Sequence, residues 1–109
     1  MNKMYWNKPI PTDTQETSDA SQLTPNPLVS VLMITYNHAE YLAEAIESVV
    51  RQACVFPFEL LIAEDASNDA TRQIALEYQK RYPHIIRVVY SQNNVGMNAN
   101  SWRIFAKAR

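Results

Sequence analysis

Two short stretches of this chain carry side chains that could do chemistry together. Leu60 to Asp69 reads Leu-Leu-Ile-Ala-Glu-Asp-Ala-Ser-Asn-Asp, an apolar run that ends in an acidic pair and passes directly into helix-start residues. A second apolar run, from Val29, ends in Thr35-Tyr36-Asn37. Open α/β sheets bind ligands in the crevice outside the carboxyl ends of their strands. A carboxylate there can accept a hydrogen bond from a ring N–H, and a tyrosine face offers stacking area for a base. Neighbouring strands lie ~4.8 Å apart, so Thr35, Tyr36 and Asn37 would reach the same ligand as Glu64 and Asp65. Successive strand residues face opposite ways, so the acidic pair is not a close dyad: one member turns to the crevice, the other to the helix layer or solvent. For Asp65 two readings stand side by side, a ligand acceptor and a turn-holder bonded to nearby backbone N–H groups. Ser67, Asn68 and Asp69 are helix-start residues in this reading, and His38 a solvated residue of a first helical turn.

The elements that must position these groups follow from hydrophobic periodicity. Val29 to Thr35 is β-rich and continuously apolar, the pattern of a buried strand. Asn37 is placed to cap a helix, with Glu40 at the capping-box position. Tyr41, Leu42, Ala45, Ile46, Val49 and Val50 then form one apolar stripe, with Glu40, Glu44, Glu47 and Arg51 on the wet side. Phe58 to Ala63 is the second strand. Ser67 or Asn68 opens a second helix that runs to about Tyr82, with Ile74, Tyr78 and Tyr82 inward as core aromatics and aliphatics, and Pro83 stops it. Ile85 to Tyr90 is the third strand, Asn93 to Gly96 a turn, and Asn98 to Arg109 a third helix whose inner face would carry Trp102 and Phe105. Alternating strand and helix predicts an α/β fold, a Rossmann-like three-layer α/β/α parallel sheet. The folded domain is expected over residues 28–109. Residues 1–27 are expected to be a flexible tail: the Thr12–Thr24 stretch is polar and bracketed by prolines, with too little apolar surface to offset its ordering entropy. Met4, Tyr5, Trp6 and Ile10 form a short greasy patch within it.

Composition removes several function classes. The chain has 109 residues and a formal net charge of -1, with a pI near 6.1, which gives no basic footprint for nucleic acid. Gly96 is the only glycine, so neither a Walker A loop nor a Gly-x-Gly-x-x-Gly fingerprint exists. The single cysteine, Cys54, cannot form an internal disulfide. His38 and His84 lack companion ligands at metal-site spacing. No apolar run approaches the ~18 residues of a membrane span, and Met1 to Pro11 has no signal-type apolar core. A cytoplasmic location is the expectation. A phospho-receiver needs acidic groups from several strand ends, and a flavodoxin-like site needs a Ser/Thr/Gly-rich loop after strand one; Thr-Tyr-Asn followed by His38-Ala39-Glu40 supplies neither.

Taken in order, Val29-Ser30-Val31-Leu32-Met33-Ile34-Thr35-Tyr36-Asn37, then Glu64-Asp65-Ala66-Ser67-Asn68-Asp69-Ala70-Thr71, then Asn94-Val95-Gly96 resemble the N-terminal part of family-2 glycosyltransferases of the GT-A fold. The resemblance covers Pro27 to Arg109. It implies transfer of a sugar from a nucleotide-sugar donor, a UDP-sugar foremost, to an acceptor glycan or lipid-linked sugar. It implies nucleotide-binding roles for Thr35, Tyr36 and Asn37 at the first strand end, for Asp65 on the base, and for Asn94, Gly96 and Asn100 near the nucleotide. It also implies Mg²⁺ or Mn²⁺ for the complete enzyme, held by an Asp-x-Asp-type motif that, like the general base and acceptor region, lies beyond Arg109. The GT-A domain is therefore expected to be incomplete at its C-terminus, the chain supplying the donor-nucleotide half and being inactive alone, with catalytic residues unknown. The alternative is a non-catalytic binding or interaction module, or a truncated remnant of such an enzyme. Glu64 stands where the family has Asp, and Ala66 and Ala70 stand where it often has glycine.

Overall fold

The computed structural model describes residues 13–52 and 56–108; the Met4–Ile10 patch and Cys54 lie outside them. Its elements in chain order are β1 (Gln15–Thr17), β2 (Val29–Thr35), α1 (Ala39–Val50), β3 (Phe58–Glu64), α2 (Thr71–Arg81), β4 (Ile86–Tyr90) and α3 (Met97–Lys107). They form a four-stranded sheet in the order β1-β4-β3-β2. β2 and β4 both pair parallel with β3, while β1 runs antiparallel to β4. The α/β class and the three-layer build hold, and the all-parallel expectation is corrected by one antiparallel edge strand.

Alternation along β3 and β4 explains the layers. Leu60, Ile62, Ile86 and Val88 face one way and pack with Leu42 and Ile46 of α1 and Ala75 and Tyr78 of α2. Leu61, Ala63 and Val89 face the other way and meet Ile104 of α3. The Tyr78 hydroxyl donates to Glu47 at 2.7 Å and so ties α2 to α1, while its ring stacks on Tyr82 at 6.3 Å between centroids. Among the described residues no helix is long and apolar enough to cross a membrane.

Three sequence expectations are corrected here. Residues 15–17 were expected within a flexible tail but form β1. Their side chains are polar, and what holds them is charge: Glu16 accepts from Arg87 Nε at 2.8 Å and Nη2 at 3.1 Å. β2 is an edge strand rather than a buried one, with Val29, Leu32 and Ile34 exposed. The inward face of α3 carries Asn100, Arg103 and Ile104 in place of Trp102 and Phe105, and Phe105 is 60% exposed. Its polar residues turn in because strand-end carbonyls and carboxylates await them there.

Candidate functional site

The parallel register sets Thr35 beside Glu64, and the Asp65 N–H donates to the Thr35 carbonyl at 3.1 Å. The two strand ends therefore share one rim. Glu64 turns toward α2 and is fully buried. One of its oxygens accepts from Arg72 Nε at 2.8 Å and the other from the Ser67 N–H at 2.7 Å. Arg72 also donates to the Ser91 carbonyl and lies over the Tyr90 ring. Asp65 turns the opposite way. Its Oδ1 accepts the Val95 N–H at 2.7 Å and its Oδ2 the Gly96 N–H at 3.0 Å, while Asn94 Nδ2 donates to its carbonyl at 3.0 Å. The carboxylate thus holds the loop before α3, and it also lines the cleft. Each carboxylate oxygen has two acceptor positions, so both retain capacity for a ligand donor.

The loop after β3 and the start of α1 are laced together. The Asn37 N–H donates to Ser67 Oγ at 2.9 Å, and Asn37 Oδ1 accepts the Asn68 N–H at 2.8 Å. The His38 N–H donates to Thr71 Oγ1 at 2.9 Å, and the Ala39 N–H to Asp69 Oδ2 at 3.3 Å. The N-terminal amides of α1 are therefore served from the neighbouring loop. The expected Asn37 cap with its Glu40 box does not form; His38 occupies the N-cap position with no side-chain capping bond. α2 likewise begins at Thr71 after Ala70, not at Ser67 or Asn68. Asp69 holds that turn through the Thr71 N–H at 2.9 Å and the Thr71 hydroxyl. The Thr71 hydroxyl bond is the foremost cause holding the Asp69 carboxyl below its usual range, outweighing burial, which acts the other way. His38 Nδ1 accepts the Tyr36 N–H at 3.3 Å and sits 3.0 Å from Thr35 Oγ1. In the neutral ring the proton is then on Nε2.

Ala66, between the carboxylate and the lacing, has φ +53°, the left-handed region that a Cβ disfavours by about 1–2 kcal/mol. Ala66→Gly should raise the unfolding free energy by about 0.5–1 kcal/mol, the relief less the added freedom of glycine in the unfolded chain. The measurement is the urea midpoint at unchanged slope, and a midpoint that falls would show that Ala66 carries no such strain. Asn37, with φ +55°, is a residue type that tolerates this conformation.

A cleft of about 440 Å³ opens on the rim, lined by Thr35, Tyr36, Asp65, Asn94, Gly96 and Asn100, with Ile34, His38 and Met97 completing its wall. Six of the seven sequence-predicted site residues thus come together. Asn37 does not line the cleft, because its side chain is committed to the loop. Gly96 has φ +89° and ψ 158°, a conformation essentially confined to glycine. A Cβ there would meet nothing within 4 Å, so its requirement is one of backbone angle and not of space. Asn100 Nδ2 donates to the Ala63 carbonyl at 2.9 Å, and Asn100 Oδ1 accepts from Arg103 Nε at 2.9 Å. Arg103 is the residue that sequence reasoning missed. An arginine on a helix reads as solvated, and its i, i+3 spacing from Asn100 was the available signal. Among the described residues no group of three or more His, Cys, Asp or Glu comes together. Those residues do not assemble a cation site.

Residues 30–109 match the family model described as glycosyl transferase family 2. An uncharacterised protein of Mycobacterium tuberculosis is 42% identical over 81 residues, 74% of this chain and 23% of its own length. Bacillus subtilis EpsE, named as a glycosyltransferase, is 38% identical over 68% of this chain and 26% of its own length. Bacillus subtilis TuaG, named as a teichuronic acid biosynthesis glycosyltransferase, is 39% identical over 64% of this chain and 27% of its own length. The chain spans about a quarter of the length of these relatives.

Proposed function

The chain belongs to glycosyl transferase family 2, and from that premise we propose that it forms the donor-nucleotide half of a sugar-transfer site and is inactive alone. One observation carries the reading: Tyr36 and Asp65, from adjacent parallel strand ends, border one cleft. The half-exposed Tyr36 ring offers a stacking face for a base, and Asp65 keeps acceptor positions for a ring N–H. The ligand is a nucleoside diphosphate sugar, with uridine as the base. Uracil presents a ring N–H to a carboxylate where cytosine presents an acceptor. The acceptor of the sugar is a glycan or lipid-linked sugar, Mg²⁺ or Mn²⁺ serves the complete enzyme, and the location is cytoplasmic. Glycosyl transfer also needs a base to deprotonate the acceptor hydroxyl; Asp65 and Glu64 are both committed elsewhere.

The test is calorimetric titration of the protein with UDP, CDP, ADP and GDP. Saturable binding with UDP preferred is expected, weakened about five- to 150-fold in Tyr36→Ala, since base–aromatic stacking contributes about 1–3 kcal/mol. Absence of binding to all four nucleotides overturns the reading. A second reading, a binding module without catalysis, is favoured by the exposed apolar edge strand β2, a surface suited to pairing with another chain. It gains ground if the protein binds no nucleotide yet captures a strand along β2.

A further inference from the structure

We propose that Arg103 is a positioning residue for nucleobase recognition, placing a counter-charge behind Asp65 and bracing the strand end and helix that border the cleft. The proposal rests on the donor-nucleotide reading above. Arg103 has no exposed surface, and a buried cation is tolerated only when charge and hydrogen bonds compensate it. Its Nε donates to Asn100 Oδ1 at 2.9 Å. Its Nη1 donates to Ser91 Oγ at 2.9 Å and approaches Thr14 Oγ1 at 3.5 Å. Its Nη2 donates to the Glu64 carbonyl at 3.0 Å. The guanidinium is thus clamped by α3, by the residue after β4, by the last residue of β3 and by the residue before β1.

Its Nη2 lies 4.0 Å from Asp65 Oδ1. That distance is within ion-pair reach but beyond a hydrogen bond. Arg103 therefore supplies the counter-charge without occupying the carboxylate's acceptor positions, which serve Val95 and Gly96 and leave room for a ligand. Burial pushes the Arg103 pKa down, and Asp65 is the first of the charges opposing that effect, followed by Asp13 and Glu64. Asn100 joins the two sides, since it lines the cleft and takes the Arg103 Nε bond. Thr14 lies outside residues 30–109, the span of the family match.

A packing role and a positioning role differ in base selectivity. Uracil and cytosine have the same ring size but opposite hydrogen-bond character at the ring nitrogen next to the carbonyl. The experiment measures UDP and CDP affinities by calorimetry on the whole protein and on Arg103→Met, Arg103→Lys and Ser91→Ala. The expected result is a UDP-over-CDP preference of at least tenfold in the parent, reduced at least fivefold in Arg103→Met and largely restored in Arg103→Lys. Ser91→Ala, which removes one clamp bond and keeps the charge, should reduce the preference about twofold, and it carries the test if Arg103→Met does not fold. Folded variants that lose affinity for both nucleotides equally, with the preference intact, overturn the proposal. A parent protein with nucleotide binding but no preference also overturns it while sparing the cleft, whereas no nucleotide binding at all removes the donor reading itself.

Discussion

Asp65→Ala is expected to lower the unfolding free energy by about 3–5 kcal/mol, because it breaks a buried ion pair from one side and takes from Arg103 the foremost of the charges opposing its burial. Two charge-assisted bonds to the Val95 and Gly96 amides disappear with it, each of a kind worth about 1.5–3 kcal/mol when measured singly. These contributions overlap and do not add. Urea unfolding of the variant measures the loss, and a midpoint equal to the parent's would mean that the loop before α3 is held by other bonds. The fold cannot be assumed intact in this variant, so nucleotide affinity is better read in Asp65→Asn. There the shape and one acceptor oxygen remain while the charge is gone. UDP affinity should fall at least tenfold in Asp65→Asn, and unchanged affinity would take Asp65 out of the ligand site.

Arg87→Leu should destabilise by a similar amount, about 3–5 kcal/mol. Arg87 joins β1 to the sheet through Glu16, bonds Glu59 at 3.0 Å through Nη1, and donates to the Lys107 carbonyl at 3.0 Å. Glu59 has no exposed surface and also accepts from the Ser30 hydroxyl at 2.6 Å, so removing the cation takes a counter-charge from a buried carboxylate. The double variant Arg87→Leu/Glu59→Leu should recover part of the loss, since replacing a buried pair with apolar groups is often close to neutral while the Glu16 bonds to Arg87 stay broken. If the double variant is as unstable as the single one, the cost lies in the loss of the Glu16 bonds that hold β1 and not in the broken Glu59 pair. A pH signature accompanies the network. Burial alone would raise the Glu16 pKa, but bonds from Arg87 and Ser18 and the charges of Arg87 and Lys107 bring it below 4.5. A depressed carboxyl contributes stability above its unfolded pKa and loses it as pH falls through the folded value. The Glu16 contribution is therefore complete at neutral pH and disappears below about pH 4.5. A Glu16→Gln variant should show a shallower acid-side decline.

What the sequence disclosed and what it concealed divide along physical lines. β3 was legible because both its faces are covered, and a short continuous apolar run between turn residues fits a buried strand and little else. The strand-end positions of Thr35, Tyr36 and Asp65 followed from that, as did the opposed directions of Glu64 and Asp65. β1 was hidden because Gln15, Glu16 and Thr17 have no apolar signature, and their partner Arg87 lies 71 residues from Glu16. The inner face of α3 was misjudged for a related reason. Amphipathic reasoning assigns aromatics inward and polar groups outward, whereas Asn100 and Arg103 are drawn in by the Ala63 and Glu64 carbonyls. The α1 cap was misplaced because Asx capping is a local pattern, and the amides here are met by Thr71 and Asp69, some 30 residues on.

The helices are divided unevenly, α1 and α2 on one face and α3 on the other. Crossovers between parallel strands turn right-handed, so moving from one face to the other reverses the direction in which the chain travels across the sheet. The path runs from β2 through β3 to β4 beneath α1 and α2, and α3 sends it back. A right-handed crossover through α3 would lead toward the outer side of β2, the sheet's open edge, where Leu32 and Ile34 are exposed on one face. The cleft lies at the fork where the two directions of travel part, bordered by the ends of β2 and β3 and the start of α3.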